Sequence, residues 1–237
     1  MKILVANLSG NMGKTTLVKH LLSPRMPDAR IVCFESINAG SDEIQSAIKL
    51  NADDEFGSLV DILTIEDELI VDLGSSESKE MIRKLKEYES AVHDFDFVLV
   101  PVVPDPKAQE DTISTVMTLH ALNLPKEKIR ILFNKVPVHM AGKIEIMFSQ
   151  LIDAVKDMAV VDTNLVIFQY EIYNSLKGTP STVSELAGDQ TDWKSIARNA
   201  NASESDRIDA LQNNRNQKAA PTAMRNLDAV FDALVCA

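Results

Sequence analysis

Short runs of apolar residues alternate along the chain with segments in which apolar residues recur every three or four positions. Several runs consist almost entirely of Val, Ile, Leu and Phe, which is typical of strands that are buried on both faces of a parallel sheet. The predicted strands are residues 2–8, 31–35, 69–73, 97–102, 129–134 and 165–168. The predicted helices are residues 14–22, 42–50, 76–92, 108–122 and 143–158. The alternation predicts a three-layer α/β fold, in which helices cover both faces of a mostly parallel sheet.

The sequence changes in character after about residue 178. Gly178 and Gly188 lie in stretches typical of loops, and residues 199–205 are polar. The apolar residues of the final stretch fall on one helical stripe: Leu227, Val230, Phe231, Leu234 and Val235. We therefore expect residues 1–177 to form one domain, and residues 178–237 to form a helical C-terminal extension packed on it.

Composition and charge narrow the class of protein. The chain has 237 residues, of which 45% are hydrophobic, and a net charge of −11. Such an acidic chain is not expected to carry a broad binding surface for nucleic-acid phosphates. Two cysteines are too few for a disulfide framework, and no apolar run approaches the roughly 18 residues of a membrane span. The apolar start is too short for a signal peptide, so we expect a cytoplasmic protein.

A turn with two glycines follows the first predicted strand and leads directly into a helix. This turn and the helix start contain Gly10, Asn11, Met12, Gly13, Lys14, Thr15 and Thr16. A strand, a turn, Gly-Lys-Thr and a helix form the context of a phosphate-binding P-loop, because backbone N–H groups and a helix N-terminus hold phosphate there. Lys14 would reach the β- and γ-phosphates, Thr15 would bind Mg²⁺, and Thr16 would hydrogen-bond the α-phosphate. Leu8 replaces the first glycine of the full pattern, so a chance Gly-Lys-Thr is the alternative.

Three further segments place polar residues where predicted strands end. Asp72 ends an apolar strand and is followed by Gly74, as in the second P-loop element, in which the acid holds Mg²⁺ and the glycine N–H senses the γ-phosphate. Pro104 and Asp105 follow another strand, and Asn134 ends a third, where it could read a purine edge. The alternatives are that Asp72 caps a helix and that Asn134 forms a turn.

Taken in order, these residues resemble the ParA/MinD family of deviant-Walker P-loop ATPases. The family's K-G-G-x-G-K-T-T loop corresponds to residues 9–16, its Asp-Thr-Pro-Pro element to residues 72–75, and its Pro-Val-x-Pro strand end to residues 101–104. The resemblance covers roughly residues 1–170, and the segments 7–26 and 35–40 resemble a plasmid-stability branch of the family. It implies binding of ATP or ADP with Mg²⁺, ATP-dependent dimerisation, and a role in plasmid stability, partition or conjugation beside a DNA-binding adaptor protein.

Two departures from the family pattern bear on hydrolysis. The signature lysine, which reaches the partner subunit's phosphate in the family's dimer, is Ser9 here. The carboxylate that orients the attacking water falls on Ile37, beside the polar Asn38. Losing both groups would remove transition-state stabilisation. The resemblance therefore implies a slow or partner-activated ATP hydrolase, with Lys14, Asp72 and Asn38 as its candidate catalytic residues.

The residues alone leave alternatives for the function and for the partners. A P-loop small-molecule kinase or ligase would need basic residues near its acceptor, whereas residues 36–67 are strongly acidic. A nucleotide-binding interaction module without hydrolysis is the second alternative. Basic and acidic residues are interspersed in the tail, so we expect a mixed solvated surface there and only weak direct DNA binding. Asp228 and Asp232 lie on the polar side of the final helix, where binding to anionic lipid would need basic residues. We therefore expect this helix to dock on the protein rather than on a membrane.

Overall fold

Seven parallel strands form the centre of the part of the chain that the computed structural model describes, residues 1–34, 44, 46–88 and 90–236. The strands are β1 (Lys2–Val5), β2 (Arg30–Phe34), β3 (Ile48–Leu50), β4 (Leu69–Leu73), β5 (Phe97–Val102), β6 (Ile129–Val136) and β7 (Val160–Phe168). Their order across the sheet is β3-β2-β4-β1-β5-β6-β7. Every pair is parallel, so all the carboxyl ends of the strands lie along one edge.

Helices cover both faces of the sheet. They are α1 (Lys14–Leu17), α2 (Phe56–Ile65), α3 (Ser78–Glu87), α4 (Pro106–Ala121), α5 (Ile144–Met147), α6 (Ser149–Val155), α7 (Glu171–Ser175), α8 (Val183–Gly188), α9 (Trp193–Arg198) and α10 (Glu204–Cys236). Helices α2, α3, α4 and α6 bury apolar residues in one core, while α1, α7, α8 and α10 contribute to a second. These two cores confirm the predicted three-layer α/β fold.

The segment after α1 stays helical but changes its winding. It continues as a π-helix over Val18–Leu22 and as a 3-10 helix over Ser23–Arg25. Three further 3-10 turns lie at Ala91–Asp94, Lys126–Lys128 and Val138–Lys143. Short π segments are rare and occur often at functional sites.

Helix α10 connects the tail to the sheet. Its buried residues Ala223, Leu227 and Val230 share a core with β1 and α1. The Asn226 side chain bonds the backbone of β7, accepting from the N–H of Phe168 at 3.0 Å and donating to the carbonyl of Val166 at 2.8 Å. Arg25 donates to the carboxylate of Asp228 at 2.6 Å. These bonds fasten the tail to β7 and to the 3-10 turn that follows the π segment.

The helix predicted over residues 42–50 is wrong in its described part, because β3 occupies Ile48–Leu50 and pairs with β2. Three residues with Lys49 between two apolar side chains carry too little periodicity to identify a strand. Helix α2 was not predicted, although Phe56, Leu59 and Leu63 recur at helical spacing and are buried. Helix α3 begins at Ser78 rather than at residue 76.

Candidate functional site

Asn7 anchors the start of the P-loop, which we define as residues 8–16. Its side-chain amide donates to the carbonyl of Pro101 at 2.9 Å and to the hydroxyl of Thr112 at 2.8 Å. Its side-chain oxygen accepts from the N–H of Ser9 at 2.8 Å. The side chain is 1% exposed, and Thr115 also accepts a bond from the N–H of Leu8. The loop is thereby tied to β5 and α4 where it leaves β1.

The tip of the P-loop turns through two residues in the left-handed region, Asn11 with φ of 60° and Gly13 with φ of 83°. A Cβ atom on Gly13 would lie 2.5 Å from the side-chain nitrogen of Asn134. Glycine is therefore required at residue 13 by both the backbone and the close approach of β6. A Cβ on Gly10 would meet Ser75 at 3.5 Å, so the loop also lies against the segment after β4.

Lys14 and Asp72 are buried next to each other beneath this loop, being 6% and 1% exposed. The Lys14 ammonium donates to the carbonyls of Asn7 at 3.1 Å and Ser9 at 2.9 Å. Burial lowers the pKa of Lys14, and the negative charge of Asp72 opposes that shift. Asp72 lies level with Val5 of the neighbouring strand, so the sheet register brings its carboxylate to the P-loop.

The end of β6 holds the P-loop from the other side. The Asn134 amide donates to the carbonyl of Met12 at 2.8 Å, and the Lys135 ammonium donates to the carbonyl of Asn11 at 2.7 Å. The side-chain oxygen of Asn134 accepts from the N–H of Lys135 at 2.9 Å. The side-chain nitrogen and oxygen of Asn134 are therefore both hydrogen-bonded to backbone groups of the protein. Burial lowers the pKa of Lys135, and the charge of Lys177 adds to the shift.

A cleft of about 420 Å³ opens at this edge of the sheet. The predicted residues that line it are Asn11, Met12, Gly13, Lys14, Thr15, Thr16, Gly74 and Asn134. The opposite wall was not predicted, and it consists of Phe168, Gln169, Tyr170, Tyr173, Asn174 and Lys177, while His20 lines the cleft from the π segment after α1. The rule that ligands bind at the carboxyl ends of strands would have pointed to the residues after β7.

The remaining predicted residues lie elsewhere or are bonded otherwise. Asp105 caps α4 by accepting from the N–H of Ala108 at 2.9 Å, and neither Pro104 nor Asp105 lines the cleft in the described structure. The N–H of Gly74 donates to the carbonyl of Phe34 at 2.8 Å, so it could reach a γ-phosphate only if that bond broke. Asn38, like the other residues of 35–43, lies outside the described residues.

The unpredicted wall is fastened to the helix that follows the P-loop. The buried Lys19 ammonium donates to the carbonyls of Leu176, at 2.9 Å, and Thr179. Nδ1 of His20 accepts from the N–H of Val183 at 3.3 Å. Burial, with a smaller effect of the Lys19 charge, lowers the pKa of His20 to about 3, so this imidazole is neutral. The π segment thus fixes both sides of the cleft relative to each other.

These residues fit a magnesium nucleotide. The hydroxyl of Thr15 and the carboxylate of Asp72 are oxygen ligands of the kind that Mg²⁺ prefers. Lys14 supplies a buried positive charge for phosphates. The hydroxyl of Tyr173 is buried without a hydrogen-bond partner among the described residues, and burial raises its pKa, so a polar group of a ligand could satisfy it.

Solved structures of two other proteins share this fold. A substituted form of Cyanothece McdA in complex with ATP matches with 15% identity and a TM-score of 0.52, covering 99% of this chain and 96% of that chain. Apo McdA from Cyanothece matches with 14% identity and a TM-score of 0.50, covering 93% and 98%. The MinD cell division protein of Aquifex aeolicus matches with 11% identity and a TM-score of 0.55, covering 99% and 97%.

The likeness to McdA and MinD confirms the resemblance to ParA/MinD ATPases at the level of the fold. No protein-family model and no curated protein sequence matches the chain. Within the described residues, no helix has the length and apolar character needed to cross a membrane.

Proposed function

We propose that the chain is a Mg·ATP-binding switch ATPase of the ParA/MinD type. It acts in plasmid stability, partition or conjugation, cycles through an ATP-dependent dimer and works with a DNA-binding adaptor protein. The observation that carries the proposal is a cleft lined by Lys14 and the P-loop backbone, on the fold of MinD and McdA. Asp72 does not line this cleft but is buried beneath the P-loop, where its charge acts on Lys14. The narrower placement among StbB-like plasmid stability proteins rests on the sequence of residues 7–26 and 35–40.

The residues in and beneath the cleft have different parts in binding. Lys14 exchanges its two backbone carbonyl partners for phosphate oxygens, while Thr15 and Asp72 hold the metal. Bound Mg²⁺ supplies a positive charge that neutralises the phosphates. The wall of residues 168–177 encloses the nucleoside side of the ligand.

Hydrolysis by the chain alone is expected to be slow. Ser9 stands where the family has its signature lysine, so this position carries no positive charge. The backbone carbonyl of Ser9 accepts a hydrogen bond from Lys14. A partner that contributes an arginine would restore stabilisation of the transition-state charge, which is worth several kcal/mol in other P-loop enzymes, on the order of 4–7.

Replacing Lys14 tests the nucleotide site. Lys14→Ala is expected to weaken ATP binding at least about tenfold, since one charge-assisted contact to phosphate contributes roughly 1.5–3 kcal/mol. Isothermal titration with Mg·ATP measures the loss, and Lys156→Ala, which removes an exposed lysine far from the cleft, is the control. Unchanged ATP affinity of Lys14→Ala would show that the loop is assigned wrongly.

Phosphate release separates this function from its two rivals. The switch ATPase should release phosphate slowly alone and faster with adaptor protein and DNA. A phosphorylated metabolite would favour the kinase or ligase, and the acidic residues Asp53, Asp54 and Glu55, all exposed, make an anionic acceptor unfavourable. ATP binding without phosphate release in any combination would favour the interaction module.

A further inference from the structure

Two consecutive residues of β6 hold two consecutive carbonyls of the P-loop. Asn134 donates to Met12 at 2.8 Å and Lys135 donates to Asn11 at 2.7 Å. The carbonyls that they hold belong to the tip of the loop, where Asn11 and Gly13 are left-handed. We refer to this pair of side chains as the β6 clamp.

A regular strand could not make both contacts, because neighbouring side chains of a strand point to opposite faces of the sheet. Lys135 has a φ of 53°, in the left-handed region, and the pairing of β6 with β7 is irregular between Phe133 and Val136. Such irregularities re-aim side chains and occur often beside active sites. An unfavourable backbone conformation at a residue other than glycine persists where the surrounding structure enforces it, which directs attention to its function.

The clamp fixes the direction of two backbone N–H groups. In a trans peptide the carbonyl of one residue and the N–H of the next point in opposite directions. The carbonyls of Asn11 and Met12 are drawn toward β6, so the N–H groups of Met12 and Gly13 are turned away from it. No cis peptide interrupts this relation in the described chain. Met12 and Gly13 both line the cleft.

We propose that Asn134 and Lys135 are positioning residues that pre-orient the Met12 and Gly13 N–H groups for phosphate. The inference rests on the proposed nucleotide site and gives Asn134 a role other than reading a purine base. It also accounts for the requirement for glycine at residue 13, where the Asn134 nitrogen leaves no room for a Cβ. A clamp on the phosphate loop acts equally on every ligand that carries a triphosphate.

Three ligands and three variants test the clamp. Affinities for Mg·ATP, Mg·GTP and Mg·tripolyphosphate are measured for the wild type, Lys135→Met, Asn134→Ala and Lys177→Met. The last variant removes a lysine that lines the same cleft but makes no bond to the P-loop in the described structure, and so controls for the loss of charge. Both clamp variants should weaken all three ligands by the same factor, about tenfold, and more than Lys177→Met does.

Several outcomes would overturn the inference. A loss confined to ATP or GTP, with tripolyphosphate unaffected, would make Asn134 or Lys135 a base-contacting residue. If Lys135→Met lost no more affinity than Lys177→Met, Lys135 would contribute only its positive charge and would not position the loop. Lys135→Arg, which keeps a donor for Asn11, should recover most of the affinity, and its failure would count against the clamp even if Lys135→Met folded poorly. If the wild type bound none of the three ligands, the nucleotide site itself would be wrong.

Discussion

His20 is a buried histidine whose Nδ1 accepts a hydrogen bond from the backbone N–H of Val183, at the start of α8. Its pKa of about 3 in the folded chain lies below the roughly 6.5 expected when the chain is unfolded. Between these values the unfolded state binds a proton that the folded state excludes, so stability falls as the pH falls from about 6.5 toward 3. Above pH 6.5 this contribution is constant.

Replacing His20 should therefore flatten the pH dependence of stability. His20→Asn keeps an acceptor for Val183 but has no titrating ring. We expect the loss of unfolding free energy between pH 7 and pH 5 to be smaller than in the wild type by about 2 kcal/mol. Urea unfolding at both pH values measures it, and an equal loss in the two proteins would contradict a neutral His20.

The residues of the site were predictable to different degrees for a physical reason. Lys14, Thr15 and Gly13 belong to one continuous loop, so their spacing in the sequence carries the signal. The contact of Lys135 depends on a left-handed backbone at a strand end, which no periodicity reveals. Tyr170 and Tyr173 reach the cleft only because β7 packs beside β6.

At the scale of elements, β7 is the end strand in the described sheet, and α10 covers part of its outer edge. Asn226 of α10 bonds the N–H of Phe168 and the carbonyl of Val166 with one side chain. It thereby satisfies backbone groups that an end strand leaves unpaired. The β7 segment leads directly into the cleft wall, so this contact also bears on the site.

Asn226→Ala is expected to lower the unfolding free energy by about 1–3 kcal/mol, because two backbone groups lose their partner. The exposed neighbour Arg225→Ala should change it by less than about 0.5 kcal/mol. Chemical denaturation measures both variants. Equal effects would mean that water replaces Asn226 at the edge without cost.

Whole elements were predicted well where they are long and buried and poorly where they are short. The bounds of β4 and β5 agree with their predicted ranges, because every position of both strands is buried and all but Asp72 are apolar. The three residues of β3 are placed by their pairing with β2, a contact between distant segments rather than a local property. The sequence predicted a helical stripe only near the end of the chain, whereas helix α10 begins at Glu204 and includes that stripe. Buried residues recur along the whole of this helix.

At the scale of the molecule, four basic residues of the tail share a direction within the mixed surface that we expected there. Arg207, Arg215, Lys218 and Arg225 are all exposed, and helical spacing places them toward one side of α10. Asp209 is the acidic residue of α10 between them, and it lines a groove beside α7 on the other side. A basic strip, with the exposed acidic residues Glu204 and Asp232 on the same side at its two ends, therefore lies on a chain of net charge −11.

This basic strip should give the chain a weak, salt-sensitive contact with DNA, in addition to the contact that the proposed adaptor protein would make. Four phosphate contacts predict a slope of about −3 to −4 for the logarithm of affinity against the logarithm of salt concentration. Fluorescence anisotropy with a random-sequence duplex measures it. The double substitution Arg215→Glu and Lys218→Glu should abolish binding, while Lys156→Glu should not. Binding that survives the double substitution would place the DNA contact elsewhere.

The distances along the chain between the parts of the cleft have a consequence for its synthesis. Lys19 and Thr179, which are bonded to each other, are 160 positions apart, and the P-loop and the β6 clamp are separated by more than a hundred. A nascent chain therefore has no complete cleft until α7 has left the ribosome. Parallel pairings between distant strands are slow to form, and a nucleotide that binds only the finished fold stabilises that fold alone. ATP would then act on newly made chains as a selective stabiliser of those that have completed the sheet.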